Sequence, residues 1–288
     1  MRRCIIPPPL DNDLGLVAFE PDSPCVDDVA PAVNFNTRRG AGFRRVGRPD
    51  MLLLHYTGTD DEDAALRWLT APESGVSCHY FVRGEGTILQ LLPEAARAFH
   101  AGQSFWHGET DNNSRSIGIE IAHPGHLEVD RGGSLGRYGA AQMEAVVRLC
   151  VDIATRHAIP PERVLAHSDV APARKRDPGE AFGWDALHDA GVGRWVSPVA
   201  ARGDLRLGEG DEGEDVRKFQ SRLATYGYET VPSGFFCRQT HLAVTAFQRH
   251  FRPGRVDGVI DYSTVRTLGR LLAASTLDPA QDVIGTPA

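Results

Sequence analysis

Between residues 34 and 198 the apolar positions fall into short runs alternating with longer stretches of helical spacing. MLLLHYT (51–57) is an apolar run of strand length, and DAALRWLT (63–70) carries helical spacing at Ala64, Leu66 or Arg67, and Trp68. VSCHYFV (76–82) and TILQLL (87–92), separated by the turn-forming RGEG, predict a hairpin. In SIGIEI (116–121), Ile117, Ile119 and Ile121 share one face of a strand, while Gly118 and Glu120 share the other. The clearest helix is AAQMEAVVRLCVDIATRHAI (140–159), where Met143, Val146, Val147, Cys150, Val151 and Ala154 follow the i, i+3, i+4, i+7 pattern. The IPPE that follows stops it, and VLAH (164–167) is a further short strand. Strands and helices interleaved in this way predict an α/β domain over residues 34–198.

Residues 1–33, rich in Pro and Asp, hold neither period and predict an irregular arm. Residues 199–205 lie in a stretch of Pro, Gly and acids without periodicity and predict a linker, so that a fragment ending near Pro198 should fold alone. Beyond it, residues 206–274 predict a small three-helix domain, with helical spacing in VRKFQSRLATYGY (216–228), HLAVTAFQRHF (241–251) and TVRTLGRLLAA (264–274). SGFFCRQT and DGVIDYST precede the last two helices; Gly234 and Gly258 repeat at 24 residues, as do Thr240 and Thr264, each threonine suited to capping the next helix. Residues 275–288 predict a flexible tail.

The chain of 288 residues is longer than one typical domain of ~100 to 200 residues, which fits one full-sized domain and a smaller one. Hydrophobic residues at 41% and charged residues at 24% exclude a wholly disordered chain. The net charge of −7 argues against nucleic acid or an anionic membrane surface as partner. With no apolar run of ~18 residues, no transmembrane segment is expected. Cys4, Cys25, Cys78, Cys150 and Cys237 are odd in number and never spaced as C-x-x-C, so they read as reduced and structural. MRRCIIPPPLDND lacks the apolar core of a secretory signal, which points to the cytoplasm, with the periplasm as the alternative.

Two histidines stand at predicted strand ends, His55 in MLLLHYT and His167 in VLAH, and KRDP places Asp177 on a loop ten residues after His167. Two imidazoles and a carboxylate at strand ends and loops suit a three-ligand zinc set with a fourth position for water, although eleven histidines allow accidental triples. Glu120 is a carboxylate central to an apolar strand. It is either an exposed edge position or an acid in a partly desolvated cleft, with the raised pKa that suits proton transfer.

LHYTG with His55, HAGQSFW (100–106), NSRSIGIEI ending in Glu120 and Ile121, and HSDVAPARKRDPG with His167, Lys175 and Asp177 resemble the zinc-dependent N-acetylmuramoyl-L-alanine amidases of type 2, related in fold to peptidoglycan recognition proteins. The resemblance covers residues 34–196 in order. VRKFQSRLATYGY, SGFFCRQTHLAVTAFQ and VDGVIDYST similarly resemble a three-helix peptidoglycan-binding domain, departing from it at Cys237, where that family commonly has Gly. These resemblances imply a mixed central sheet flanked by helices, and peptidoglycan or muropeptide fragments as partners. They further imply Zn²⁺ on His55, His167 and Asp177, with Glu120 as proton carrier and Lys175 as oxyanion stabiliser. Zinc would acidify a bound water and polarise the amide joining N-acetylmuramic acid, or its 1,6-anhydro form, to L-alanine. His100, Trp106 and Asn113 are candidate substrate contacts, and His79 reads as a buried structural histidine. The alternative function is a noncatalytic peptidoglycan receptor on the same fold, members of which lose a ligand.

Overall fold

A computed structural model of the protein describes residues 19–39, 48–203 and 205–276. Its strands are β1 (Asp28–Val29), β2 (Phe35–Thr37), β3 (Met51–Tyr56), β4 (Tyr80–Val82), β5 (Ile88–Gln90), β6 (Ala96–Ala98), β7 (Ser116–Ile121), β8 (Val164–Ala166), β9 (Arg206–Leu207) and β10 (Ile260–Asp261). The α-helices are α1 (Glu62–Thr70), α2 (Asn112–Arg115), α3 (Leu127–Asp130), α4 (Ala140–His157), α5 (His167–Val170), α6 (Trp184–Asp189), α7 (Glu214–Tyr226), α8 (Arg238–Phe251) and α9 (Tyr262–Thr276). Six strands form a mixed sheet in the order β1-β5-β4-β7-β3-β8. The hairpin pair β4 and β5 is antiparallel and every other neighbour is parallel.

Because β3 and β7 lie inside the sheet, both their faces are covered, which explains the unbroken apolar run Met51 to Leu54. Leu52, Leu54, Ile117, Ile119 and Ile121 pack on one side against Val146, Leu149, Cys150 and Ile153 of α4 and Trp184 and Leu187 of α6. On the other side Met51, Leu53 and Leu165 share a core with Trp106 and with Val216, Phe219, Leu223, Tyr228, Phe247 and Leu268 of the C-terminal unit.

This shared core bears on the expectation of a separable module: buried residues of the second unit pack in one cluster with those of the first. Trp106 meets Tyr226 and Tyr228 edge-on, with centroids at 5.8 and 5.1 Å. Gly227, at φ +131°, lies so close that a β-carbon there would stand 2.6 Å from the indole. Val199, at the start of the predicted linker, is held as well: it donates its N–H to Thr267 and accepts from the Ser263 hydroxyl.

Two other boundaries move. Residues 19–33 do not stand apart as an arm: β1 pairs with β5, and the Ala32 N–H donates to the Leu91 carbonyl. The helix α9 runs to Thr276, past the predicted start of the tail. Residues 1–18 of the predicted arm and 277–288 of the predicted tail lie outside the described residues.

The 24-residue repeat is real, but its threonines are not caps. The helices α8 and α9 begin at Arg238 and Tyr262, so Thr240 and Thr264 are each the third helical residue. Each buried hydroxyl accepts instead from a glutamine of the preceding helix, Gln220 at 2.9 Å and Gln248 at 3.2 Å. The same glutamines accept the N–H of Gly234 and Gly258 through their side-chain oxygens, so one amide closes each repeat. Cys25, Cys78, Cys150 and Cys237 are free thiols. Among the described residues no helix is long and apolar enough to cross a membrane.

Candidate active site

The sheet register brings the chemistry together. His55 and Glu120 are paired across β3 and β7, so both side chains leave the same face, the one opposite α4. Glu120 is therefore interior to the sheet, which removes the edge-strand reading. Ala166 of β8 pairs with Leu54, and the chain turns directly into α5 at His167, beside His55. The loop after α5 returns through a hydrogen bond from Ser168 N–H to the Asp177 carbonyl at 3.0 Å, setting Asp177 next to both imidazoles.

His55 Nδ1 lies 2.8 Å from His167 Nδ1, and Asp177 Oδ2 lies 3.1 and 2.9 Å from the two. All three side chains are buried, and they form a set able to hold a metal ion. The far nitrogens are engaged by neighbours: His55 Nε2 lies 3.0 Å from His100 Nδ1, and His167 Nε2 lies 3.1 Å from the Ala101 carbonyl. A carbonyl only accepts, so His167 carries its proton on Nε2 and offers Nδ1 as a lone pair, the arrangement a metal ligand needs. Burial, reinforced by the neighbouring His167, lowers the His55 pKa to about 4, which keeps it neutral. Burial would raise the carboxyl of Asp177, but the neighbouring His167, and then His55, outweigh it and hold its pKa below the usual carboxylate range.

Glu120 is the opposite case. Burial, then the charge of Asp177, pushes its carboxyl well above the usual range, with Lys175 pulling the other way. Its Oε2 is buried without a hydrogen-bond partner, leaving an acceptor free beside the metal-binding set. Glu120, His167, Lys175 and Asp177 border a cleft of about 430 Å³, whose outer wall includes Tyr56, Val76, Phe99 and Trp68.

Of the residues expected to touch substrate, His100 reaches the cleft, but it also holds His55 and lies 3.3 Å from the Ser116 hydroxyl. Trp106 does not reach the cleft, because its ring is wholly buried against the C-terminal unit. Nor does Asn113, which is buried and accepts the backbone N–H groups of His100 and Ala101 at 3.0 and 2.7 Å. Both are corrected to structural residues, Asn113 holding the segment that carries His100. His79 is structural as expected, accepting the Gly118 N–H at Nδ1, with Arg38 at 2.9 Å from Nε2. Among the aromatic rings that line the cleft, with Tyr56 and Phe99, is Trp68, 55% exposed on α1. The helical spacing of DAALRWLT includes Trp68, but the buried positions of α1 are Ala65 and Leu69, which leaves Trp68 outside the buried stripe.

A family model described as N-acetylmuramoyl-L-alanine amidase matches residues 45–180, and a peptidoglycan binding domain model matches 212–268. The N-acetylmuramoyl-L-alanine amidase AmiD of Escherichia coli is 38% identical over 226 residues, covering 75% of this chain and 80% of the relative. This chain belongs to the N-acetylmuramoyl-L-alanine amidase family. The solved complex of AmiD with anhydro-N-acetylmuramic acid-L-Ala-D-gamma-Glu-L-Lys superposes on the amidase with a TM-score of 0.69 at 36% identity, covering 84% of this chain and 95% of that one. AmpDh3 of Pseudomonas aeruginosa, solved with an anhydromuramic pentapeptide, matches with a TM-score of 0.65 at 28% identity, covering 81% and 96%. The 1,6-anhydro-N-acetylmuramyl-L-alanine amidase AmpD of Enterobacter cloacae is 34% identical over 133 residues, 46% of this chain and 66% of its own.

Proposed function

We propose that the amidase is a zinc enzyme that hydrolyses the amide between N-acetylmuramic acid, or its 1,6-anhydro form, and L-alanine of the stem peptide. The observation that carries this reading is the His55, His167 and Asp177 donor set, with atoms within 4.8 Å of one another, beside the unpartnered Oε2 of Glu120. Two imidazole nitrogens and one carboxylate suit zinc in a site that keeps a position open for water. Bound there, zinc supplies Lewis acidity, lowering the pKa of water and polarising the scissile carbonyl.

The remaining work falls to the chain. Glu120, destabilised as an anion by its burial, takes the proton of the attacking water and passes it to the leaving nitrogen of L-alanine. Lys175, on the cleft wall, balances the negative charge that develops on the carbonyl oxygen. Trp68, exposed on the same wall, offers a flat apolar surface to the substrate.

Peptidoglycan or muropeptide fragments are the proposed partners of both units, supported in the second by its family match. A cytoplasmic location belongs to the same proposal: recovery of the native protein with the cytoplasm on fractionation supports it, and recovery from the envelope overturns it.

Chelation should abolish release of free stem peptide from a soluble muropeptide, and added Zn²⁺ should restore it, while His167→Ala should lose both metal and activity. Glu120→Gln keeps the shape but cannot accept the proton. It should retain zinc while turnover falls by roughly 10² to 10⁴. Full activity in the metal-free protein would overturn the zinc reading. A zinc-loaded but wholly inactive wild-type chain would favour the noncatalytic receptor.

A further inference from the structure

One buried carboxylate crosses the boundary between the two units, and it stands two residues after His167. Asp169, on α5, is 1% exposed. Its Oδ2 accepts the backbone N–H of Ala166 at 2.9 Å, which fixes the residue immediately before His167. Its other donors come from the second unit. The Tyr228 hydroxyl donates to Oδ1 at 2.6 Å and His250 Nδ1 donates to Oδ2 at 2.7 Å, from 59 and 81 residues away. A capping role in a four-residue turn needs only the Ala166 bond, so the two distant donors require another explanation.

Neither donor has freedom to leave. The His250 ring is stacked between Trp184 of α6 and Phe251, with centroids at 3.7 and 3.8 Å. Tyr228 is buried edge-on against Trp106 and Phe247. The turn they grip carries one member of the donor set and is bonded to another, through Ser168 N–H to the Asp177 carbonyl. It is gripped at its far end too, where the Phe105 N–H donates to the Val170 carbonyl at 2.8 Å. A displacement of α5 therefore changes the spacing of His167 Nδ1 from His55 Nδ1.

We propose that Tyr228 and His250 are positioning residues of the amidase: through Asp169 they hold the turn bearing His167, so that the metal-binding geometry is complete only while the second unit is docked. The inference rests on the reading of His167 as a metal ligand. It gives the second unit a part in the chemistry that is independent of any wall binding.

The test uses the full chain and Tyr228→Phe, His250→Leu and His250→Asn. Zinc affinity is measured by competition with a chromophoric chelator, and site geometry from the visible bands of the Co²⁺-substituted protein. Turnover is measured on a soluble muropeptide, and folding by near-ultraviolet circular dichroism and thermal midpoint. Tyr228→Phe and His250→Leu should weaken zinc binding by roughly 10-fold, the lower end of what loss of such outer partners costs. They should also shift the Co²⁺ bands and lower kcat with little change in KM. His250→Asn, whose amide N–H replaces the Nδ1 donor, should recover much of the affinity. Should His250→Leu fail to fold, Tyr228→Phe decides, because it keeps the ring and removes only the hydroxyl. Variants that melt earlier yet keep zinc affinity, Co²⁺ bands and kcat overturn the inference alone. A wild-type chain that takes up no zinc overturns the ligand assignment and the inference with it.

Discussion

Lys175 stands between two arginines, and the structure separates their work. The guanidinium of Arg174 donates to the carbonyls of Ala101 and Gln103, and Arg176 pairs with Asp130, while Lys175 borders the cleft. Only two of the chain's 31 basic residues are lysine. An ammonium is a compact charge on a flexible stem, whereas guanidinium is a broad planar fork that would crowd the water and the carbonyl beside the donor set. Lys175→Arg should therefore keep fold and metal yet lose on the order of 10²-fold in turnover, close to Lys175→Ala, as loss of one oxyanion donor would. Steady-state kinetics of the two variants checks this, and near wild-type rates for Lys175→Arg would show that local positive charge suffices. At this scale the donor set was legible because His55, His167 and Asp177 sit at strand ends or on a loop that local pattern reveals. Trp106 was misread for a physical reason: the rings that bury it, Tyr226 and Tyr228, are over a hundred residues away and leave no local trace.

At the scale of the element, β7 shows how one strand serves two faces. Its isoleucines fill the core on the α4 side, and its other face is cut away at Gly118 so that His100 can lie flat on the strand. A β-carbon on Gly118 would stand 2.5 Å from Cγ and Nδ1 of His100, and that Nδ1 is the atom facing His55. Gly118→Ala should cost about 1 to 3 kcal/mol through overpacking. It should also lower zinc occupancy by pushing His100 against its ligand neighbour, and thermal melting with metal analysis reads both effects. Unchanged zinc content would show that His100 does not orient His55. The alternation of SIGIEI gave away the strand and its two faces, since period 2 is a local property. The buried threonines of the repeat were misassigned because their partners, Gln220 and Gln248, lie on another helix.

For the whole molecule, the division into two units is legible in the sequence, but their union is not. A polar, aperiodic stretch at 197–215 looks the same whether it tethers two free bodies or skirts a common interior. Here it skirts one. Cutting the chain near Pro198 would uncover Met51, Leu53, Trp106 and Leu165 together, a contiguous apolar face of the kind that drives aggregation. A fragment ending at 198 should be insoluble or poorly folded on expression, in contrast to what its linker suggests, and solubility with circular dichroism checks it. A soluble, cooperatively melting fragment would show that the sheet face can close without its partner.

The slot that Gly227 leaves for the Trp106 ring carries a consequence for anyone who would graft this catalytic unit onto a different targeting domain. The indole has no solvent-exposed surface, and the backbone that covers it comes from the domain being replaced. A chimera joined only by sequence length would leave that ring without its cover, whereas one that retains the Tyr226–Gly227–Tyr228 corner as part of the donor scaffold would carry the cover along. The working boundary for such exchanges therefore lies in the three-dimensional seam around residue 227 rather than at the loop before residue 206.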